Sequence, residues 1–335
     1  MTPASMVRAR QLFVPALAAA ADALSPALRH IVAYHWGWVD EEGKPAPGAA
    51  GKALRPTLAM LSAEAVGAPA ERARACAAAV ELVHDFTLLH DDVMDGDRER
   101  RHRPTAWTVF GVGPAICAGD ALLLSAQRVL LEDPAAARSA ALAALCDATQ
   151  DVIAGQILDL SFEGRLDVAL DAYLDMAARK TGALLGCSAS IGAILAGGPD
   201  ESVRALRAFG GALGLAFQAV DDWLGLWGRP ERTGKPVAND LRQRKSSLPI
   251  VLALGADGAE SRALRALLAS PGPLDEDALA QAVALLDGCG AETRTREEAA
   301  RQIEIAGSAL ARAPIEPAAR EELLELARFV VEREL

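Results

Sequence analysis

The stretch VELVHDFTLLHDDVMD, residues 80–95, decides both the fold class and the chemistry expected of this chain. Apolar residues recur through it at helical spacing, which predicts a buried amphipathic helix. The helix ends in a cluster of three aspartates, Asp91, Asp92 and Asp95. Carboxylates this close repel one another unless a positive charge lies between them, so the cluster points to a bound cation.

The composition favours helices along the whole chain. Hydrophobic residues make up 51% of its 335 residues and aromatic residues only 4%, and long stretches are rich in alanine and leucine. Alanine and leucine are strong helix formers, whereas the β-branched runs that build strands are scarce here. We find no alternating strand pattern bounded by hairpin turns and no low-complexity linker. The sequence therefore predicts one all-α domain that spans residues 1–335.

Short segments rich in glycine, proline and aspartate separate the predicted helices. They lie at residues 41–56, 66–71, 98–105, 196–202, 227–240, 255–261, 270–277 and 288–295. Near the N-terminus, Arg8 and Arg10 precede the apolar run 12–21, and the helical pattern continues past Asp22 to Ile31. We interpret this region as a first amphipathic helix, with a short signal peptide as the alternative. We find no apolar run long enough to span a bilayer, so we predict no stable membrane insertion.

The charge balance limits the class of ligand. The formal net charge is −11 at pH 7, and because an acidic surface repels DNA and RNA, we expect no nucleic-acid partner. An anionic ligand would have to be held by a local basic cluster or by a metal ion. The five cysteines are scattered without a CxxC pair, which is typical of reduced thiols and predicts a cytoplasmic location.

A second pair of aspartates repeats the pattern of the first cluster. Asp221 and Asp222, in the segment FQAVDDWLG, end another apolar helical stretch and precede a loop rich in glycine, proline and basic residues. Two helices of one bundle can bring such carboxylates to the same end of a shared cavity. The repeat therefore predicts one acidic site built from two helices.

The acidic site is expected to bind magnesium. Asp91 and Asp95 are four residues apart, so they lie on one face of their helix. Paired carboxylates suit Mg²⁺, which prefers carboxylate and phosphate oxygens. A solvated helix end is the alternative for one cluster alone, but two clusters, each followed by basic residues, favour the binding of metal and diphosphate.

Basic residues lie near both clusters in sequence. Arg100 and Arg101 belong to RERRHR, and one guanidinium group can bind two phosphate oxygens at once. These adjacent arginines can therefore face two different diphosphates. In GKALRP, Lys52 and Arg55 lie on one side of a first helical turn, where free backbone N–H groups also attract anions. A solvated basic turn is the alternative for each segment.

Further candidates are weaker when each is taken alone. His84 lies seven residues before the first aspartate on the same helix face, although a lone histidine there is more often a core residue. Lys180 and Thr181 enter a helix of small apolar residues, where a lysine usually extends to solvent. Lys235 and Lys245 follow the second aspartate pair.

These segments together give the chain a family resemblance. The chain resembles the trans-prenyl diphosphate synthases of the polyprenyl synthetase family over about residues 45–255, most closely the bacterial geranylgeranyl diphosphate synthases. Seven segments carry the likeness in the order of the family: GKALRP, HDFTLLHDDVMD, RRHRPT, GQILDL, RKTGALL, FQAVDD and TGKPVANDLRQRK. Seven motifs in order make the resemblance specific.

The resemblance implies a fold and a reaction. The fold is the isoprenoid synthase fold, an antiparallel helix bundle around a deep central cavity, usually as a homodimer. The reaction is the condensation of isopentenyl diphosphate with an allylic diphosphate on three Mg²⁺ ions, which would be held by Asp91, Asp92, Asp95, Asp221 and Asp222. The allylic diphosphate would contact Arg100, Lys180, Lys235 and Lys245, and isopentenyl diphosphate would contact Lys52, Arg55, His84 and Arg101. The carbocation would form beside Thr181 and Gln218.

Two features bear on the details of this resemblance. Gly225 stands where the family's second motif has its third aspartate, so Asp221 is expected to carry that metal site and the affinity for the third metal is put in doubt. In the family, an aromatic residue five positions before the first aspartate accompanies a C20 product when the first motif has no insertion. Here that residue is Phe86, and the smaller Thr87 follows it. We therefore expect geranylgeranyl diphosphate, with farnesyl or longer polyprenyl diphosphates as alternatives.

Two other functional classes stay open. A class I terpene cyclase would share the helices, the aspartates and Mg²⁺, but it would not need the second basic site of Lys52, Arg55 and His84. A non-catalytic partner subunit or compartment cargo would be free to lose metal ligands, whereas this chain keeps the whole first motif. A prenyl diphosphate synthase therefore accounts for the most motifs.

Overall fold

Helices dominate the computed structural model, which describes residues 2–46, 51, 53–228 and 238–332. The helices are α1 Ala4–Asp22, α2 Pro26–His35, α3 Leu54–Glu64, α4 Arg74–Met94, α5 Ala106–Phe110, α6 Val112–Leu131, α7 Arg138–Phe162, α8 Leu170–Ala177, α9 Ala183–Leu195, α10 Asp200–Trp227, α11 Asn239–Arg242, α12 Leu248–Leu254, α13 Ala259–Leu268, α14 Glu276–Gly288, α15 Ala291–Ala311 and α16 Pro317–Glu332. A 3₁₀ turn at Ala70–Ala73 precedes α4, and a wide π-helical turn at Ala178–Gly182 joins α8 to α9. The predicted all-α fold class is confirmed.

Helix α9 lies at the centre of the packing. It contacts α3, α7 and α10, and side chains on every side of it are buried, including those of Leu184, Leu185 and Ile191. A helix that is apolar all round has no face for water, which places it in the core. The small residues along α9 let its neighbours approach closely, and α4 and α10 pack around it with their carboxyl-terminal ends open to one cavity.

The two aspartate-bearing helices are held by apolar faces. Helix α4 buries Val80, Leu82, Val83 and Leu89 and packs mainly on α6 and α3, whereas α10 packs on α9 and α15. Burial of each large apolar side chain contributes about 1.5–3 kcal/mol. This packing fixes the directions in which the two helix ends present their acidic residues.

Two local predictions require correction. The first amphipathic helix does not continue to Ile31: α1 ends at Asp22, and α2 begins at Pro26. A proline lacks the backbone N–H and its ring clashes with the carbonyl four residues earlier, so Pro26 starts a new helix instead of extending α1. The basic segment 98–105 contains a small antiparallel hairpin, β1 Glu99–Arg100 and β2 Arg103–Pro104, which is too short to show as an alternating pattern.

The prediction that no segment is long enough to cross a membrane is wrong for α6. By length and composition alone, Val112–Leu131 would suffice. The helix buries Ala115, Ala118, Leu122, Ala126 and Leu130, in part against α4, and it carries Asp120 and Arg128. The cytoplasmic location and the one-domain organisation stay predictions.

Candidate active site

A polar cavity of about 230 Å³ opens where the carboxyl-terminal ends of α4 and α10 meet. It combines acidic and basic side chains with a short apolar wall. Its lining includes Leu88, Asp91, Asp95, Asp97, Arg100, Asp159, Tyr173, Met176, Lys180, Gln218, Asp221, Asp222, Asp240, Lys245, Ser246 and Ser247. The structure therefore brings Asp91 and Asp95 of the first cluster to the same place as Asp221 and Asp222, with Lys180 and Lys245 among them.

Asp91 and Asp95 face this cavity together. The Lys245 ammonium pairs with Asp95 Oδ2 at 2.8 Å, while Asp95 Oδ1 is buried and has no hydrogen-bond partner among the residues that the structure describes. Burial raises the pKa of Asp91 to about 6; Lys180 opposes this rise and Asp95 adds to it. Burial thus disfavours the ionised form of Asp91, and a bound cation would offset that cost.

Asp92 lies on the other side of the helix. Its Oδ1 accepts hydrogen bonds from Arg100 Nε at 2.8 Å and Arg100 Nη2 at 2.7 Å, and its side chain is only 2% exposed. Burial raises the pKa of Asp92, although the hydrogen bond and charge of Arg100 lower it. Asp92 lines a separate small cavity beside Tyr34 and His35, so the structure does not bring it into the cavity with Asp91.

The two aspartates of the second pair both line this cavity but differ in exposure. Asp221 is exposed to the cavity, whereas Asp222 is buried and its oxygens accept hydrogen bonds from Tyr173, the Leu248 N–H at 2.6 Å and Gln218 at 2.7 Å. Burial, with Asp240 nearby, raises the pKa of Asp222 to about 7. Asp222 therefore orients Gln218, while Asp221 stays available to a ligand.

The acidic residues fit magnesium that is shared with a phosphate ligand. Among the described residues, no three acidic, histidine or cysteine side chains converge closely enough to hold an ion by themselves. Magnesium is usually bound by one or two carboxylates, waters and substrate phosphates, not by an all-protein cage. The unpartnered Asp95 Oδ1 and the exposed Asp221 provide that kind of incomplete site.

Lys180 reaches the cavity through the wide turn at Ala178–Gly182. The turn lies against Gly155 of α7, where a Cβ atom would be 2.3 Å from the Lys180 backbone nitrogen, so only glycine allows this approach. Lys180 pairs with Asp159, four residues after Gly155. Burial lowers the pKa of Lys180, but Asp159 and Asp91 outweigh it and the net shift is upward, so the lysine is charged.

Thr181 and Gln218 form a hydrogen-bonded relay at the edge of the apolar wall. Thr181 Oγ1 donates to Gln218 Oε1 at 2.6 Å, and the Gln218 amide donates to Asp222. The relay fixes which way the Gln218 amide points, since its oxygen is used by Thr181 and its nitrogen by Asp222. The two residues are thus held together beside the cavity.

A second, more basic cluster lies two turns earlier on α4. His84 is surrounded by Arg55, Arg100, Arg101 and His35, and burial together with these charges holds its pKa well below the usual value, so the imidazole is neutral. Arg55 Nε is buried without a hydrogen-bond partner among the described residues. A cluster of this charge with an unused buried donor is suited to an anion.

Gly51, which precedes α3, lies at the border of this second cluster. The Arg101 guanidinium lies against Gly51, where a Cβ atom would be 2.8 Å from Arg101 Nη2, and Arg10 donates to the Gly51 carbonyl. Lys52 and Lys235, both predicted as diphosphate ligands, lie outside the described residues. The rest of the predicted cluster, Arg55, His84 and Arg101, is brought together around α4 and the start of α3.

Unusual backbone conformations border both clusters. Among the described residues, five non-glycine residues have positive φ angles: Ala53, Arg101, His102, Ala238 and Arg244. Each lies within three residues of a predicted ligand or a cavity-lining side chain. Such conformations cost about 1–3 kcal/mol each and gather at ligand sites, where the surrounding structure holds them in place.

Several cavity residues were not predicted from the sequence. Tyr173 and Asp240 line the cavity, and Glu81 lies beside Arg55 with a pKa that burial raises to about 8. Asp240 stands inside the quoted segment TGKPVANDLRQRK, so the segment pointed to it, but Tyr173 and Glu81 lie in ordinary helical patterns. Nothing in their local sequence separates them from surface or core residues.

Comparison with known proteins identifies the family. A model of the polyprenyl synthetase family matches residues 38–286. The chain is 45% identical over 329 residues to a (2E,6E)-farnesyl diphosphate synthase of Mycobacterium tuberculosis, with 97% of this chain and 92% of the relative covered. It is 42% identical over 333 residues to a geranylgeranyl diphosphate synthase of the same species, with 99% and 94% covered.

A solved structure agrees with these matches. A polyprenyl synthetase from Streptomyces coelicolor A3(2) has a TM-score of 0.93 and 47% sequence identity to this chain, with 98% of this chain and 99% of that chain covered. The resemblance to trans-prenyl diphosphate synthases is therefore confirmed. By its sequence, its fold and its relatives, the chain belongs to the polyprenyl synthetase family of transferases.

Proposed function

We propose that the chain condenses isopentenyl diphosphate with an allylic diphosphate in a magnesium-dependent reaction, giving geranylgeranyl diphosphate. The observation that supports this most is the pair of charged clusters along α4, one acidic around Asp91 and one basic around His84. Seven helical residues separate them, which is about 10 Å along the axis. Two diphosphates can thus be held side by side and kept distinct.

The acidic cavity is proposed to bind the allylic diphosphate. Asp91, Asp95 and Asp221 would hold the magnesium ions, and Lys180, Lys245 and Arg100 would contact the phosphate oxygens directly, together with Lys235. Asp92 and Asp222 act through the groups that they orient, Arg100 and Gln218. Magnesium, when bound, would shield the negative charge that develops on the leaving diphosphate. Three ions are expected with substrate present.

The chain's own residues would govern the reacting end of the substrate. Lys180 and Lys245 place positive charge where the leaving diphosphate gains negative charge, which favours breaking of its carbon–oxygen bond. The Thr181–Gln218 relay would lie beside the allylic carbon, and the apolar wall of Leu88 and Met176 would exclude water from the cation. The basic cluster would hold isopentenyl diphosphate so that its double bond attacks that cation.

The basic cluster also bears on the alternative of a terpene cyclase. A cyclase acts on one diphosphate, whereas Arg55, His84 and Arg101 form a second, basic cluster outside the acidic cavity. A non-catalytic cargo protein would not require Lys180 and Lys245 to be buried beside three carboxylates. Both alternatives therefore leave observed features without a role.

Replacement of Arg55 by alanine tests the assignment of the two diphosphates. We expect KM for isopentenyl diphosphate to rise by about 10–100-fold, because a charge-assisted contact of about 1.5–3 kcal/mol is lost. KM for the allylic substrate should change by less than about threefold. Arg72→Ala, which removes an arginine that pairs with Asp133 and belongs to neither cluster, is the matched control. A selective rise in KM for the allylic substrate would reverse the assignment.

We propose that the residues before Asp91 determine the chain length of the product. The two relatives compared above are named for different products, and identity to the farnesyl enzyme (45%) exceeds identity to the geranylgeranyl enzyme (42%). Our proposal of C20 rests instead on Phe86, which is 6% exposed and packs edge-on against His90 with 4.9 Å between ring centroids. The smaller Thr87, one turn before Asp91 and on its face, leaves space for the growing chain.

Product analysis of two opposite variants tests this proposal. The wild-type enzyme should convert geranyl and farnesyl primers mainly to C20. Phe86→Ala should give chains of C25 or longer, and Thr87→Phe should stop the reaction mainly at C15, because bulk in this turn ends elongation. Since Phe86 is in the core, its loss is expected to cost about 3–5 kcal/mol, so Phe86→Leu is the more stable companion variant. An unchanged product distribution in all three variants would show that Phe86 and Thr87 do not form the floor of the pocket.

We propose that two copies of the chain associate through α6 and α7. Leu124 and Leu131 of α6 and Ile153 and Ile157 of α7 are exposed, Leu124 by 66% and Ile157 by 64%, and the two helices pack together. Exposed large apolar side chains on two neighbouring helices are typical of an interface. Sedimentation should show a dimer at micromolar concentration, and Leu124→Glu should yield monomer. A monomeric wild-type protein would contradict the proposal.

A further inference from the structure

Arg244 is a firmly bound residue beside the cavity that the proposed reaction does not use. Its guanidinium donates to three backbone carbonyls: Nη1 to that of Leu268 at 2.8 Å, and Nη2 to those of Ser270 at 2.7 Å and Gly272 at 2.5 Å. Leu268 is the last residue of α13, and the other two lie in the segment that follows it. The last carbonyls of a helix have no partner within the helix, so a cationic donor stabilises them.

The backbone of Arg244 is held in a left-handed conformation. Its φ is 53°, which is uncommon for a residue with a long side chain. The Gly164 N–H donates to the Arg244 carbonyl at 3.0 Å, and the Arg244 N–H donates to the Leu241 carbonyl at 3.2 Å. A conformation of this kind persists only where the surrounding contacts hold it. The guanidinium bonds to the end of α13 and the backbone bonds to Gly164 and Leu241 supply those contacts.

The residue that follows this anchor is Lys245. Its Nζ lies 2.8 Å from Asp95 Oδ2 in the acidic cavity. On the other side of the lysine, Ser246 Oγ donates to the Phe162 carbonyl at 2.8 Å. The side chains before and after Lys245 are thus tied to other segments of the chain. The backbone from which Lys245 extends cannot turn without breaking these bonds.

Helices α13 and α14 pack on each other, and neither contributes a residue to the acidic cavity. Among the residues that the structure describes, the lining of this cavity ends at Ser247. Arg244 therefore connects the cavity to a pair of helices that do not themselves reach it. Arg242 makes a second link, to Glu276 of α14, but this carboxylate is 80% exposed and such a pair contributes little.

We propose that Arg244 is a positioning residue for the reaction: by binding the carboxyl-terminal end of α13, it sets the direction in which Lys245 enters the cavity. The inference rests on the proposed function, in which Lys245 contacts the allylic diphosphate. The Arg244 guanidinium is used by three carbonyls, so Arg244 acts on the substrate only through its neighbour. Through this one side chain, α13 and α14 influence a site to which they contribute no ligand.

Arg244→Gly separates the anchor from the backbone conformation, because glycine adopts a left-handed φ without strain but has no guanidinium. We expect KM for the allylic substrate to rise by at least about tenfold, since the charged contact of Lys245 with the diphosphate is weakened. KM for isopentenyl diphosphate should change by less than about threefold, because the cluster around His84 is a separate site. A merely structural role would lower the active fraction, and with it kcat, but would leave both KM values unchanged.

A double-mutant cycle tests whether Arg244 acts through Lys245. The readout is the binding of inorganic pyrophosphate with Mg²⁺, measured by calorimetry. Arg244→Gly and Lys245→Ala should each weaken binding by at least about tenfold. The double variant should bind less than about threefold more weakly than Lys245→Ala, because the two losses share one contact. Arg265→Ala removes a guanidinium that donates to the Leu166 and Leu254 carbonyls, and this matched control should bind as the wild type does.

The outcomes separate this inference from the proposed function. If Lys245→Ala weakens binding while Arg244→Gly binds as the wild type does, the inference is overturned and the proposed function stands. Additive losses in the double variant, or wild-type binding by Lys245→Ala, overturn the inference as well. If a thermal melt shows that Arg244→Gly is unfolded, Arg244→Lys takes its place in the cycle, with a loss of at least about threefold expected because fewer carbonyls are bound. If the wild type binds no pyrophosphate with Mg²⁺, the proposed function is overturned, and the inference with it.

Discussion

Asp91→Asn is expected to lower kcat by at least about 10²-fold, because it removes a carboxylate from the point where charge is neutralised in the transition state. The fold should not suffer. Burial and the neighbouring Asp95 raise the pKa of Asp91, so its ionised form is unfavourable in the metal-free cavity. We therefore expect the metal-free Asp91→Asn protein to melt at the same temperature as the wild type or higher, in buffer near neutral pH.

The combination of lost turnover and retained stability is the diagnostic result. Steady-state kinetics at saturating magnesium and a thermal melt of the same preparation measure both quantities. Asp171→Asn, an exposed aspartate of α8 outside the cavity, serves as the control and should change neither. Turnover of Asp91→Asn within threefold of the wild type would show that Asp91 is not a metal ligand. A large loss of stability would show that its role is structural.

Arg100→Ala is expected to have the second large effect, on stability as well as on turnover. Arg100 donates twice to Asp92, whose side chain is 2% exposed, and removal of one partner from a buried ion pair costs about 3–5 kcal/mol. Turnover should fall by at least about 10²-fold, since Arg100 also lines the cavity with the allylic diphosphate site. Urea denaturation and steady-state kinetics measure the two effects.

A double variant separates these two roles of Arg100. Asp92→Asn with Arg100→Met leaves no uncompensated charge, so most of the lost stability should return while turnover stays low. If the double variant is as unstable as Arg100→Ala, the ion pair with Asp92 is not what stabilises this part of the fold. If Arg100→Ala turns over as the wild type does, Arg100 does not bind the diphosphate.

Helical spacing predicted the part of the site that lies on a single helix. Asp91, Asp95 and His84 share a face by periodicity, and the structure places the aspartates in one cavity and His84 two turns deeper. Most of the helix breaks also follow from glycine and proline, since these residues act on their own backbone. The same periodicity places Asp92 on another face, where it pairs with Arg100. The aspartate motif, taken as a whole, gave no reason to expect a different role for Asp92 than for Asp91 and Asp95.

Contacts between distant segments could not be predicted in this way. Tyr173 donates to Asp222 across 49 residues, and the approach of the wide turn to α7 depends on Gly155, which looks like any other helical glycine. The short hairpin with Arg101 and His102 in left-handed conformations lacks the glycine or asparagine that marks such turns. These features depend on tertiary packing, which overrides the local preferences of the residues.

Incorporation of labelled isopentenyl diphosphate into an allylic product tests the central claim most directly. The purified chain would be incubated with the labelled substrate and farnesyl diphosphate, with and without Mg²⁺, and the products separated by chain length. We predict a labelled C20 diphosphate that forms only when both substrates and Mg²⁺ are present. A hydrocarbon product from farnesyl diphosphate alone, or no labelled product with any allylic primer in the presence of Mg²⁺, would contradict the account.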